Sequence, residues 1–259
     1  MGRTRKTSKL GLVALLWASG LLPGSGAAPA PKPVDFNHPP RDYAITNAQG
    51  WTVLVEQELI QDYPSLAGRC LRRLDGKLAE LRTILPPATQ PVLLRLKLFL
   101  MLGEQAKLGG RNNGAEYFQK TAPAHYAHLD PRMASSVVIY SAENYMWLSD
   151  FWARKVLFHE LAHAWHLEQW PEAQPDILQT YRAAKAAHLY ARVVGDDGRP
   201  LEQGYAATNQ LEYFAELSCM YFVGCHYYPF NRSQLRAYDP AGEALIRKMW
   251  SLDERVPAP

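Results

Sequence analysis

The stretch Val156-Leu157-Phe158-His159-Glu160-Leu161-Ala162-His163-Ala164-Trp165-His166 sets two histidines four residues apart, with a glutamate directly after the first. Four residues on an α-helix advance about 400°, so His159 and His163 stand one above the other on one face. Two imidazole nitrogens on such a face can reach one tetrahedral zinc ion at about 2.0–2.1 Å. Glu160 lies beside that face, placed to take a proton from water at the metal and not to bind the metal itself. The longer HExxHxxGxxH pattern is absent, because position 166 is His and position 169 is Gln. His166 lies about 10 Å along the helix axis from His159, too far to share its metal. It reads as a residue supporting the ligands or lining the cleft, with a plain surface histidine as the alternative.

Zinc sites that perform chemistry take three protein ligands and keep the fourth position for water. The third ligand must therefore come from another element. The segment Tyr205-Ala-Ala-Thr-Asn-Gln-Leu-Glu212-Tyr-Phe-Ala-Glu216 supplies a candidate. Glu212 and Glu216 are spaced i, i+4 on one face of a helix that Thr208 or Asn209 can cap. Two carboxylates among Phe214, Leu217 and Met220 are costly to bury unless something positive meets them. One zinc ion and one histidine N–H would do so.

The elements that must carry these groups are legible in outline. Ser149 and Asp150 offer N-caps, nothing breaks the run that follows, and Pro171 ends it, which predicts a helix over 150–169. Further helices are expected near 176–190, 209–223 and 240–251, and over 66–85, where Leu71, Leu74, Leu78 and Leu81 recur at helical spacing. Strands are expected as a pair within 43–60, over 92–100 and over 136–140, with a Gly-rich loop at 109–114. A small sheet in the first half beside the His159 helix, then a mostly helical second half, is an α+β arrangement. With 259 residues, 47% of them hydrophobic, the chain can bury a real core.

Arg3, Arg5, Lys6 and Lys9 precede an apolar run from Leu10 to Leu22 and then small residues at 24–28. This reads as a secretory signal peptide over 1–27, with an uncleaved N-terminal anchor as the alternative. Secretion or a periplasmic location is the expectation. Residues 28–41 hold five prolines and read as an extended linker, leaving 42–259 as the folded domain. No later segment has eighteen unbroken apolar residues, so no membrane insertion is expected once the signal is removed. Four of the 28 Lys and Arg lie in residues 1–27, which hold no Asp or Glu, so 24 basic face 25 acidic residues in the remainder. That balance gives no electrostatic case for nucleic acid.

The three cysteines read either as three buried thiols or as a Cys219–Cys225 pair, six apart across a helix stop at Gly224, with Cys70 left as a buried thiol. His125 and His128 form a weaker metal pair with no third donor nearby in sequence. Asn231-Arg232-Ser233 is a glycosylation sequon in a eukaryotic host and otherwise places Asn231 as a helix cap. Tyr227, Tyr228 and Phe230 read as core packing.

HELAHAWH followed by YAATNQLEYFAE resembles the gluzincin metallopeptidases, most closely the catalytic domain of anthrax toxin lethal factor and its bacterial relatives. The resemblance covers about Ser149 to Phe230, with Tyr213 in place of a Phe of the family pattern. It implies a zincin-like fold and one zinc ion bound by His159, His163 and Glu212. It also implies Glu160 as general base, Tyr205 as donor to the oxyanion, and Glu216 as the group that holds a ligand histidine. The expected activity is hydrolysis of amide bonds in a peptide or protein substrate. The competing expectation is a zinc-stabilised secreted binding module that uses the scaffold without turnover. Glu160 and Tyr205 argue against it, since neither is needed to hold a metal.

Overall fold

The computed structural model describes residues 33–252; the expected signal peptide and the first linker residues lie outside the described residues. Strands β1 (Tyr43–Ala48) and β2 (Trp51–Glu56) form a tight antiparallel hairpin. Its two-residue turn, Gln49-Gly50, has both φ values positive, at 51° and 96°. A turn of that hand matches the twist of the strands it joins, and Gly50 adopts it without strain. Two helices follow, α1 (Gln57–Asp62) and the long α2 (Pro64–Ile84), which buries Cys70, Leu74, Leu78 and Leu81 at helical spacing. The segment expected as one strand over 92–100 divides. Val92 and Leu93 close a short helix α3 (Gln90–Leu93), and only β3 (Lys97–Leu100) is extended.

Three further elements complete the first half: β4 (Ala115–Phe118), α4 (Ala122–His125) and β5 (Ser136–Ile139). The sheet order is β1-β2-β3-β5-β4, with β2, β3 and β5 parallel and β4 antiparallel to β5 at the edge. Both faces are covered. One packs on the helices through the main core, and the other on a smaller cluster containing Phe36, Phe99, Met133 and Tyr140. The stretch 33–41 is therefore not a free linker. Phe36 is buried, its N–H donates to the His128 carbonyl at 2.8 Å, and buried Arg41 pairs with Glu56 at 2.6 Å. Proline content reported backbone stiffness there, while one aromatic and one arginine decided the packing.

The second half is helical: α5 (Ala142–Trp147), α6 (Asp150–Gln169), α7 (Pro175–Ala186), α8 (Gln210–Phe222), α9 (Arg232–Tyr238) and α10 (Pro240–Met249). A small hairpin of β6 (Val193–Val194) and β7 (Pro200–Leu201) interrupts it. Ser149 Oγ caps α6 by accepting the Trp152 N–H at 3.3 Å. Asn209 Oδ1 caps α8 by accepting from Leu211 and Glu212 N–H at 2.8 and 2.9 Å. Asn231 caps α9 through the Gln234 N–H. Helix α6 is buried without interruption from Lys155 to His166, and α8 from Leu211 to Met220, so each is buried all round and not on one stripe. The two pack side by side. The molecule is thus α+β, with a small mixed sheet in its first half and helices in its second. Among the described residues no helix is long and apolar enough to cross a membrane.

Candidate metal centre

Helix α6 carries Lys155, His159 and His163 at four-residue steps on one stripe, and α8 faces it with Glu212 and Glu216. His159 Nε2 lies 3.0 Å from Glu212 Oε2 and 3.0 Å from His163 Nε2; His163 Nε2 lies 3.4 Å from Glu212 Oε2. These three atoms form a nearly equilateral triangle. Ligands held about 2.0–2.1 Å from a tetrahedral zinc stand roughly 3.3–3.4 Å apart, so the His163–Glu212 side matches that spacing and the two 3.0 Å sides are a few tenths of an ångström shorter. Two imidazole nitrogens facing each other at 3.0 Å share either one proton, as N–H···N, or a positive centre. The donor set fits a zinc ion.

The behaviour of the histidines follows from their carboxylates. His159 Nδ1 lies 2.9 Å from Glu216 Oε1, which can only accept, so Nδ1 carries a proton; Nε2 faces the Glu212 carboxylate in the same way at 3.0 Å, and a bound cation would take the place of its proton. Burial alone would push Glu212 up, but His163 and His159 beside it hold its carboxyl down at about 2. His163 moves the other way, below the usual imidazole range, because its burial outweighs the pull of Glu212. Its Nδ1 is buried with no hydrogen-bond partner, so only His159 is clamped from behind.

Glu160 is bound to the sheet edge. Its Oε2 accepts the Tyr117 N–H of β4 at 2.8 Å, while Oε1 is buried without a partner. Burial, then the neighbouring Glu212 and Glu116 carboxylates, push Glu160 up to about 8 against the opposing pull of His159. Glu116 is itself buried and takes the Tyr140 hydroxyl at 2.7 Å and Arg111 Nη1 at 2.9 Å.

Tyr205 opens a 3-10 turn, Tyr205–Ala207, just before α8. Its ring centroid lies 6.0 Å from that of His159. Burial, and then the negative charge of Glu212 and Glu160, raise its phenol, which stays protonated as a donor. The turn is held from below, where the Tyr227 hydroxyl accepts the Ala206 N–H at 2.9 Å. Gly204 is needed there, since a Cβ would meet the Tyr227 ring at 2.8 Å.

Five sequence candidates, His159, Glu160, His163, Glu212 and Glu216, thus converge on one buried place, with Tyr205 beside it. His166 does not join them. It is fully buried, so it is neither a surface nor a cleft-wall residue; its Nε2 lies 3.2 Å from the Pro171 carbonyl and its ring packs on Phe214. Of the two cysteine readings the structure has the first: all three are buried thiols, and Cys219 and Cys225 form no disulfide. Cys225 Sγ donates to Glu216 Oε2 at 3.4 Å, and Cys219 lies near Glu216 and hydrogen-bonds with His159. His125 and His128 enter no group of three possible metal donors among the described residues.

Two participants escaped the sequence reading. One is β4, which brings Tyr117 to Glu160. The other is Lys155, whose Nζ lies 2.6 Å from Glu216 Oε1. Its signal was present, as a lysine one turn before His159 on the stripe that carries both histidines. No family model, curated protein or solved structure matches this chain.

Proposed function

We propose that the protein is a zinc-dependent peptidase of zincin type, exported by its N-terminal segment. The observation that carries this reading is the triangle of His159 Nε2, His163 Nε2 and Glu212 Oε2, with sides of 3.0 to 3.4 Å. The gluzincin-like spacing of the same residues supports it. A zinc ion there would supply a Lewis acid and lower the pKa of water towards neutrality. Glu160, with Oε1 unengaged and its raised carboxyl drawn back to the charged form by the positive charge a bound zinc would bring, takes the proton of the attacking water and returns it to the leaving amine. The Tyr205 hydroxyl donates to the oxyanion that exists only at the tetrahedral stage.

The sheet edge beside Glu160 is the buried strand β4. Tyr140 N donates to Gly114 O at 3.1 Å, and Ala115 stands opposite Ile139. Alternation along an antiparallel ladder then turns the N–H and C=O of Ala115 and Tyr117 away from β5, towards the side where Glu160 takes the Tyr117 N–H.

Metal analysis of the purified protein is expected to give about one zinc per chain, since one triangle is present. The same preparation should cleave members of a random peptide library, lose that activity to a chelator and recover it with zinc. A protein that binds zinc and cuts nothing would be a binding scaffold; one that binds no zinc would end the proposal.

Tyr205→Phe tests the donor separately. Its kcat is expected to fall by roughly 10²–10³, the effect of losing one oxyanion donor. Zinc content and melting temperature should hold, because the ring still packs. Unchanged kcat removes Tyr205 from the chemistry, and lost zinc reassigns it to supporting Glu212.

A further inference from the structure

Behind His159, Glu216 lies at the centre of a second convergence of donors: Cys219 on one side, Cys225 and His226 on the other. Donors of these types can hold a metal ion, yet a cation already stands among them. Lys155 Nζ lies 2.6 Å from Glu216 Oε1, the same oxygen that His159 Nδ1 meets at 2.9 Å. The Lys155 side chain is 3% exposed and that of Glu216 is fully buried. Its ammonium also sits 5.3 Å from the centre of the Trp152 ring, a face that favours cations. The other carboxylate oxygen, Oε2, takes the Cys225 thiol.

We infer that Lys155 is a positioning residue for the metal, acting through Glu216 as the built-in countercharge that keeps this carboxylate fixed on His159. This rests on reading His159 as a metal ligand. A fully buried carboxylate without a cation beside it is strongly disfavoured and would move towards water or take a proton. Either change loosens the acceptor that fixes the His159 ring and its tautomer. Groups behind a metal ligand set its orientation and basicity in this way. The helix makes the relay possible: Lys155 is one turn before His159 on α6, so both reach the same oxygen across the α6–α8 contact.

The test is a double-substitution cycle on the full protein with Lys155→Met, Glu216→Gln and the pair. The readouts are the zinc dissociation constant, by competition with a chromogenic chelator, and the urea midpoint of the metal-free protein. Lys155→Met is expected to weaken zinc binding by roughly 10–100-fold. In the Glu216→Gln background the same change should cost less than about threefold, because a neutral amide still accepts the His159 N–H and needs no countercharge. Equal losses in both backgrounds, or none in either, would overturn the inference. If Lys155→Met alone fails to fold, a folded double variant supports the countercharge and an unfolded one rejects it. Wild-type protein that binds no zinc would defeat the metal reading by itself; the urea cycle would still show whether Lys155 and Glu216 are coupled, and additivity there would reject the pairing as well.

Discussion

Glu160→Gln is expected to cut turnover by roughly 10²–10⁴-fold, the usual contribution of a positioned general base, and to leave the metal in place. The geometry makes this a clean substitution. One amide oxygen can still accept the Tyr117 N–H that Glu160 Oε2 takes at 2.8 Å. The amide nitrogen then occupies the place of Oε1, which has no partner among protein groups. Neither imidazole is touched, so the zinc content should stay at one equivalent. The melting temperature should not fall: burial and the Glu212 and Glu116 carboxylates already disfavour charge at this position. A neutral amide removes that repulsion and the desolvation of an anion. Measurement of kcat on a library-derived peptide, with metal analysis and thermal unfolding on the same sample, checks all three. Near-normal kcat with zinc retained would place the base elsewhere.

The site was largely readable because chemistry and helical periodicity coincide in it. His159 and His163 are one turn apart, as are Glu212 and Glu216, and a buried polar pair on a helix demands a partner of complementary charge. The caps Ser149 and Asn209 and the stop at Pro171 bound those helices by local chemistry alone, so their ends fell within a residue or two of expectation. Lys155 was missed because a single lysine on a helix reads as solvent-facing; its burial is decided by Glu216, sixty-one residues later. The cleft-wall and surface readings of His166 fail for the related reason that α6 is buried on every side, so no face was left for a cleft or for water.

Strand β4 was missed on different grounds. Its four residues follow a Gly-rich loop and include Glu116, whose buried carboxylate breaks the apolar pattern of a covered strand. That carboxylate is satisfied only in three dimensions, by Tyr140 and Arg111. The alternation of Leu94, Leu96, Leu98 and Leu100 overstated β3 in turn, because Val92 and Leu93 belong to the short helix before it. For Cys219 and Cys225 the spacing was compatible with a bridge, yet the Cys225 thiol turns to the Glu216 carboxylate and that of Cys219 to His159, contacts that sequence separation cannot register.

The other large effect is expected at Glu212, and it separates two possible places for the metal. His159 belongs to two donor groups, one with His163 and Glu212 through Nε2, the other with Glu216 and Cys219. The second group lies beside the Lys155 ammonium, which repels a divalent cation and already neutralises Glu216. The first group has an anionic carboxylate held down at about 2, with no Lys or Arg paired to it. Zinc should therefore be lost from Glu212→Gln and kept by Cys219→Ser. If a structural zinc gains roughly 10–16 kcal/mol from four ligands, one ligand carries about 3 kcal/mol. That corresponds to on the order of 10²-fold in affinity. An amide oxygen in place of the carboxylate should cost at least that much, and peptide cleavage should disappear at zinc concentrations that saturate the wild type. Cys219→Ser should change neither, beyond a small packing loss. Zinc affinities of the two variants from chelator competition, alongside their urea midpoints, decide the matter. Retention of wild-type affinity by Glu212→Gln, with loss in Cys219→Ser, would move the metal behind His159 and leave Glu160 without water to activate.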